Sequence, residues 1–351
     1  MQRIGELKMR RFWMFRTNLI PLEYYHKYTD LETFEQKCHD YYLLLPLWLV
    51  QKNLCDEAVI WRMCKQPRPD IVFDIDGRKF IQRWVKDFSA CLKYKSPDIS
   101  FFRGGFPEYC GVTKANPIHF GCKMYLGAGK RITPIYGGKY DYVLYEDERD
   151  IPTIKRNHQC IPFYKTASNQ VFKPLGLDHI YDICWPANFA QIRHKGQEDF
   201  IKLLSKGPLR DLKVVSCGNK PGVGKKLCVK HGVDNIMFLG EVDRPTLNEV
   251  LNQSAFGLNM SNQVDGCPRV STEVLMSGTP LILRDSVRLL NYYKSNGVIQ
   301  VNEKNFTKKI MEAFDQYDRH HANILKAVEG PLSFDVNNKK NYNLWRRVIS
   351  G

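Results

Sequence analysis

The chain has 351 residues, 43% of them apolar and 25% charged, with 18 Tyr, 19 Phe and 6 Trp. These proportions exclude a mainly disordered or collagen-like chain, and the length suits two domains of about 100–200 residues each. Lys and Arg number 52 against 37 Asp and Glu, a net charge of +15 that suits anionic partners such as nucleotides, nucleic acid or anionic membrane surfaces.

In chain order, Arg11–Arg16 (RFWMFR), Ala58–Met63 (AVIWRM), Ile71–Phe73 and Ile99–Phe102 have the apolar and aromatic character of strands. Leu31–Leu54 is long enough for a helix, with leucines and aromatics at mixed three- and four-residue spacing. Asp74-Ile75-Asp76-Gly77 closes one strand, and Arg78–Leu92 is expected to be the helix its carboxylates cap. Tyr140–Tyr145 (YDYVLY) is a further strand, ending in the acidic loop Glu146–Asp150.

The second half alternates more regularly. Tyr181–Trp185, Lys213–Ser216, Asn235–Leu239, Ala255–Met260 and Pro280–Leu283 are expected strands. Gln197–Leu204, Lys225–His231, Pro245–Gln253 and Arg269–Met276 are the helices between them, with Gly278 placed to stop the last. Such alternation argues for parallel sheets with covered faces. The expected division is 1–174 and 175–328, joined near Phe172–Gly176, with a tail 329–351 crossing back to the first lobe.

No run approaches the ~18 apolar residues of a membrane span; Leu43–Val50 is short and contains Pro46. The N-terminal MQRIGELKMRRFWMF lacks the apolar core of a secretory signal. Eleven cysteines, an odd number without a C-x-x-C pair, read as reduced thiols. The expectation is a cytoplasmic protein, able to lie at a membrane surface. The basic excess is spread, with 28 basic against 19 acidic side chains in residues 1–175 and 24 against 18 thereafter.

Three signals compete for the chemistry. Gly218–Lys226 (GNKPGVGKK) has one residue too many for a Walker loop and Lys226 where Ser or Thr should hold magnesium, so it reads as a basic turn between strand and helix. His320 and His321 are adjacent and do not share a helix face, which disfavours a metal pair. Asp74 and Asp76 form an Asp-x-Asp that resembles the metal site of GT-A glycosyltransferases or the nucleophile pair of haloacid-dehalogenase phosphatases, although Arg78 departs from the latter pattern.

The longest ordered set of motifs is Phe238–Leu283. Phe238-Leu239-Gly240, Leu247–Leu251, Gly257–Ser261, Asp265 and the run Glu273–Pro280 (EVLMSGTP) follow one another in register. This segment resembles the nucleotide-sugar glycosyltransferases of GT-B fold, in particular the large retaining family with a Glu-x7-Glu signature. The resemblance implies an α/β protein of two Rossmann-like domains with parallel sheets facing a central cleft. It implies transfer of a sugar from a nucleoside-diphosphate-sugar, UDP- or GDP-linked, to a hydroxyl acceptor with retention of configuration. No metal or other cofactor is required. The acceptor is left open among glycan, lipid and nucleic acid.

The same resemblance implies roles for individual residues. Gly266, Cys267 and Pro268 lead into a helix whose first N–H groups, with Arg269, would meet the diphosphate, an arrangement that suits an anion physically as well. Glu273 would take two ribose hydroxyls, and Asp265 stands at the first acidic position, facing the donor sugar, where the family usually has Glu. Upstream, Lys195-Gly196 matches the Lys-Gly of an Arg-x4-Lys-Gly motif; Ala190 occupies the Arg position, and Arg193 is the neighbouring substitute. Gly218, with Gly240 and Val242 opposite, would flank the base. In the first half, Arg103-Gly104-Gly105 is a candidate cleft loop, His119 a candidate cleft histidine, and Gly127–Arg131 a basic loop toward the acceptor. Two other classes remain open at this point: a metal-dependent phosphatase-like enzyme built on Asp74 and Asp76, and a nucleic-acid-binding protein of the same fold without catalysis.

Overall fold

The computed structural model describes residues 8–16, 30–38, 40–103, 107–127, 140–191, 196–261 and 268–350. The chain divides into two compact units, one of residues 1–164 and 338–351, the other of residues 165–337. Residues 165–174, expected in the first domain, belong to the second. Asn248 and Asn252 hold them there, Asn248 Oδ1 accepting from the Lys173 N–H at 3.1 Å and Asn252 Oδ1 from the Leu175 N–H at 2.6 Å.

The first unit contains β1 (Met9–Arg16), α1 (Leu31–Lys37), α2 (Tyr41–Gln51), β2 (Cys55–Met63), β3 (Ile71–Ile75), β4 (Arg78–Val85), β5 (Ile99–Arg103), α3 (Pro107–Ala115), β6 (Cys122–Leu126), β7 (Tyr142–Tyr145), α4 (Ile151–Ile154) and β8 (Gln159–Pro162). Its strands form one sheet in the order β3-β4-β2-β1-β5-β6-β7-β8. Every neighbouring pair is parallel except β3 and β4. Alternation along β1 builds a core on each face. Trp13 and Phe15 point to one side, among Trp61, Phe88 and Phe102. Phe12 points to the other, where Trp345 stacks on it at 5.4 Å.

Two expected helices differ from the structure. Leu31–Leu54 is not continuous: Asp40 caps α2 by accepting from the Tyr42 N–H at 3.1 Å, and α1 has already ended at Lys37. Asp and Asn compete with helical backbone through such local bonds, and here the cap wins over continuation. Arg78–Leu92 is β4 followed by a 3-10 turn at Phe88–Lys93. The apolar positions of Arg78–Val85 lie in a strand paired on both sides, a tertiary outcome that helical spacing alone did not anticipate.

That difference also removes the Asp-x-Asp alternative. Asp76 and Gly77 are the two central residues of the β3–β4 hairpin, with φ of 51° and 79°. Asp-Gly is favoured in such a turn because both positions need positive φ. Asp74 Oδ1 accepts from the Gly77 N–H at 2.9 Å, and Asp76 pairs with Arg78 at 2.8 Å with its side chain 86% exposed. The two carboxylates shape an exposed turn at the sheet margin.

The second unit contains β9 (Tyr181–Pro186), α5 (Gln197–Leu204), β10 (Val214–Cys217), α6 (Pro221–His231), β11 (Ile236–Gly240), α7 (Arg244–Asn252), β12 (Ser254–Asn259), α8 (Arg269–Met276), β13 (Leu281–Arg284), α9 (Asn291–Lys294), β14 (Val298–Val301), α10 (Phe306–Asp315) and α11 (Tyr317–Glu329). The last helix, α12 (Phe334–Ser350), carries the chain back into the first unit at residue 338. The sheet is wholly parallel, in the order β11-β10-β9-β12-β13-β14. This is a doubly wound Rossmann arrangement, whose ligand edge is the carboxyl end of the strands beside the point where strand order reverses. Every position of β12 and β13 is buried, as a sheet covered on both faces requires. Among the described residues no helix is long and apolar enough to cross a membrane.

Candidate functional site

The loops leaving β9, β10, β11 and β12 at their carboxyl ends carry most of the residues picked out in the second half of the sequence. Gly218 ends β10 with φ of 153°, and its N–H donates to the Gly240 carbonyl at the end of β11 at 2.6 Å. A Cβ on Gly218 would lie 1.8 Å from the Ala187 carbonyl oxygen. Three strand ends therefore meet backbone to backbone, and only glycine fits between them. Val242 follows half-buried in the loop between β11 and α7.

A second close approach lies at Gly196, just before α5. A Cβ there would stand 2.1 Å from the Met260 carbonyl, at the end of β12. Arg284, at the carboxyl end of β13, fixes the helix that follows: its Nη1 donates to Asp199 in the first turn of α5 at 2.9 Å, and its Nη2 pairs with Glu303. The Lys-Gly pattern of residues 195–196 thus has a packing reason on its glycine side. Lys195 and Arg193 themselves lie outside the described residues, as do Asp265, Gly266 and Cys267.

Helix α8 begins at Arg269, which is exposed, after Pro268 in extended geometry. Glu273, one turn in, is 2% exposed. Its Oε2 accepts from Arg244 Nη1 at 3.2 Å, while its Oε1 is buried with no hydrogen-bond partner among the described residues. A buried acceptor left in that state costs about 1–3 kcal/mol and more when charged, so it points to a missing donor pair. Nearby, Asn259 at the end of β12 donates to Ser271 Oγ at 3.0 Å and ties that strand to α8.

In the first unit Arg103 is the last residue of β5, while Gly104 and Gly105 lie outside the described residues. His119 does not belong to a ligand edge. It sits in the turn before β6, at the amino end of that strand, against the Trp13 ring at 5.6 Å. Its Nδ1 lies 3.3 Å from Ser96 Oγ and its Nε2 3.3 Å from the Cys91 carbonyl. Both ring nitrogens are occupied by structure, so the expected cleft histidine is corrected to a packing residue. The basic loop lies outside the described residues from residue 128 onward.

Sequence reasoning missed Arg244, which anchors Glu273, and Arg284, which anchors α5. Neither belongs to a spaced motif, and each is recognised only because elements distant in sequence come together, two helices for Arg244 and a strand and a helix for Arg284. Among the described residues no group of three or more His, Cys, Asp or Glu is placed to hold a metal ion.

Residues 190–328 match the family described as glycosyl transferases group 1. No curated protein sequence matches the chain. Solved structures similar in fold include sucrose-phosphate synthase from Thermosynechococcus elongatus, with a TM-score of 0.68 at 11% identity over 97% of this chain and 99% of that one. The E. coli trehalose-6-phosphate protein bound with UDP-2-fluoro glucose aligns with a TM-score of 0.61 at 11% identity, over 96% and 97% of the two chains. The α,α-trehalose 6-phosphate synthase of Burkholderia multivorans aligns at 0.61 and 10% identity, over 98% and 99%. The group 1 match lies on the unit that carries Glu273, and the fold shared along nearly the whole chain is the GT-B fold.

Proposed function

We propose that the second unit binds the nucleoside-diphosphate half of the donor, with UDP-sugar as the first choice and GDP-sugar as the comparison. The observation that carries this reading is Glu273: one carboxylate oxygen held by Arg244, the other buried and without a partner among the described residues. Two vicinal ribose hydroxyls are the donors such an oxygen pair accepts. The UDP preference draws on the fold neighbour bound with UDP-2-fluoro glucose. Gly218, Gly240 and Val242 flank the base in this reading, Gly218 and Gly240 being joined backbone to backbone at the ends of β10 and β11.

In this scheme the amino end of α8 with Arg269, and Lys195 with Arg193, stabilise the negative charge that grows on the leaving diphosphate. Gly266 and Cys267, which precede that helix in sequence, are assigned to the phosphates, and Asp265 to the donor sugar, by the resemblance. The acceptor hydroxyl attacks from the face that the diphosphate leaves, so configuration is retained. The charge is met by cations and backbone N–H groups, and no metal is assigned a role. His119 takes no part.

Glu273→Ala tests the assignment. UDP should raise the unfolding midpoint of the natural protein, and the variant, folded by circular dichroism, should bind UDP at least tenfold more weakly, about 1.4 kcal/mol. Unchanged UDP affinity in the folded variant removes Glu273 from the site.

A further inference from the structure

Helices α7 and α8 both start at the carboxyl edge of the second unit's sheet, α7 after β11 and α8 after β12. Two polar rungs join them, four residues apart on each helix. Nearer the edge, Arg244 Nη1 donates to Glu273 Oε2 at 3.2 Å. One turn deeper, Ser277 Oγ donates to Asn248 Oδ1 at 2.8 Å. Residues four apart share a helix face, so both rungs belong to one contact between the helices. The deeper rung is closed: Asn248 and Ser277 are buried, and the Asn248 amide also donates to the Lys173 carbonyl at 3.1 Å. The outer rung is open at one corner. Glu273 Oε1 is buried without a hydrogen-bond partner among the described residues, and the Arg244 side chain is 29% exposed.

Helix packing does not ask for this outer rung. The start of α7 is already set by Asp243, whose Oδ1 accepts from the Thr246 N–H at 2.9 Å, and by Pro245 in the first turn. The dipole at that end favours an anion, yet the first helical residue is Arg244. An apolar pair would join the helices without desolvating two charges. What the ion pair supplies is direction. An ionised carboxylate only accepts hydrogen bonds, at two oxygens with about two positions each. With one position of Oε2 taken by the guanidinium and the helices fixed by the deeper rung, Oε1 is presented as an open acceptor in one orientation.

We propose that Arg244 is a positioning residue that gives the donor site its preference for ribose over 2′-deoxyribose, acting through Glu273. This role rests on the donor reading above, which assigns the ribose hydroxyls to Glu273. A 2′-deoxynucleotide keeps the base and the diphosphate and lacks one of those hydroxyls, so it reads this carboxylate apart from the rest of the site. A site built to bond a hydroxyl rejects the analogue lacking it, because a buried acceptor is then left unpaired.

The test is calorimetric titration of the full chain with UDP and 2′-deoxy-UDP, and with GDP and 2′-deoxy-GDP as the second pair. The natural protein should bind the ribonucleotide about tenfold more tightly than its deoxy analogue. Arg244→Gln should weaken the ribonucleotide about fivefold or more and leave the deoxy analogue within about twofold, so that most of the preference disappears. Arg244→Lys returns the charge without the fork and should recover part of the preference; it also serves if Arg244→Gln does not fold. Adding Arg244→Gln to Glu273→Ala should change ribonucleotide binding by less than about twofold, as for a residue that acts through another. A residue that merely joins two helices would weaken both nucleotides alike. Equal losses for both in Arg244→Gln overturn the proposal, as does an undiminished preference in that folded variant. It is equally overturned by a natural protein without the preference, or by a double variant that binds far more weakly than Glu273→Ala. Where the natural protein binds neither UDP nor GDP, or Glu273→Ala keeps its affinity, the donor reading falls and takes this role with it. Where Glu273→Ala loses the preference and Arg244→Gln keeps it, this role falls alone.

Discussion

In the second unit the ligand edge is shaped by backbone. Gly218 sits where any side chain would strike the Ala187 carbonyl, and Gly196 where one would strike that of Met260. In the first unit the corresponding edge is filled with long charged side chains, Arg16, Arg62 and Arg103, faced by Asp40 and Glu146. The two edges use opposite means. A backbone-walled edge tolerates few substitutions, whereas an edge of side chains can change in chemistry without moving the backbone. A chain built this way keeps one half fixed in geometry and lets the other vary in chemistry.

The largest expected effect breaks the first unit and spares the second. Trp345 is fully buried, stacked on Phe12 at 5.4 Å with a 10° interplanar angle and close to Phe101 and Phe163. Trp345→Ala should cost about 3–5 kcal/mol, the range for emptying a large aromatic site. Denaturant unfolding would show it, while UDP affinity in the folded fraction stays unchanged. A loss of UDP affinity would mean that the donor half depends on this core.

A smaller effect sharpens the contrast within the second unit. Gly218→Ala forces a Cβ into backbone that cannot yield, and should cost about 2–3 kcal/mol and abolish most UDP binding. Gly222, four residues on in the first turn of α6, has nothing within 4 Å of its notional Cβ. Gly222→Ala should be neutral or stabilising by up to about 1 kcal/mol. Equal effects at the two positions in thermal unfolding would count against the backbone-wall reading.

The same contrast explains what could be read in advance. In the second unit, strands such as Tyr181–Pro186 and helices such as Arg269–Met276 lie within a residue or two of where periodicity placed them, because each is a short local unit with its own breakers. Helix α6 starts at Pro221, inside the stretch read as a basic turn, since proline is well suited to a first helical position. In the first unit β6 and β14 of the second were not anticipated, and Arg78–Val85 was taken for a helix. Strand identity there depends on neighbours far away in sequence. The arginines of the first unit's edge are the extreme case: Arg16, Arg62 and Arg103 are unremarkable one by one, and only strand register makes them a group. Glu273 was legible through its spacing from Asp265, but Arg244, which holds it, was not, because an ion pair between two helices leaves no local pattern.

The smallest expected effect lies on the surface of the second unit. Glu198 in α5 accepts from Lys230 Nζ at 2.8 Å and His231 Nε2 at 3.1 Å, both from α6, and these bonds pull its pKa down to about 2. A folded pKa below the ordinary value of about 4.3 means stability that is present above that value and lost as pH falls toward 2. Because the group is solvent-screened, its whole contribution should be at most about 1 kcal/mol. Glu198→Gln should therefore unfold slightly earlier in urea near neutral pH, with the gap to the natural protein closing between about pH 5 and about pH 2 and shrinking in high salt. A gap that persisted at low pH would show packing, not charge, to be what Glu198 contributes. By that measure the exposed charges of the second unit adjust stability at its margin, whereas a buried pair of the first such as Arg16 and Asp40 would cost far more to break.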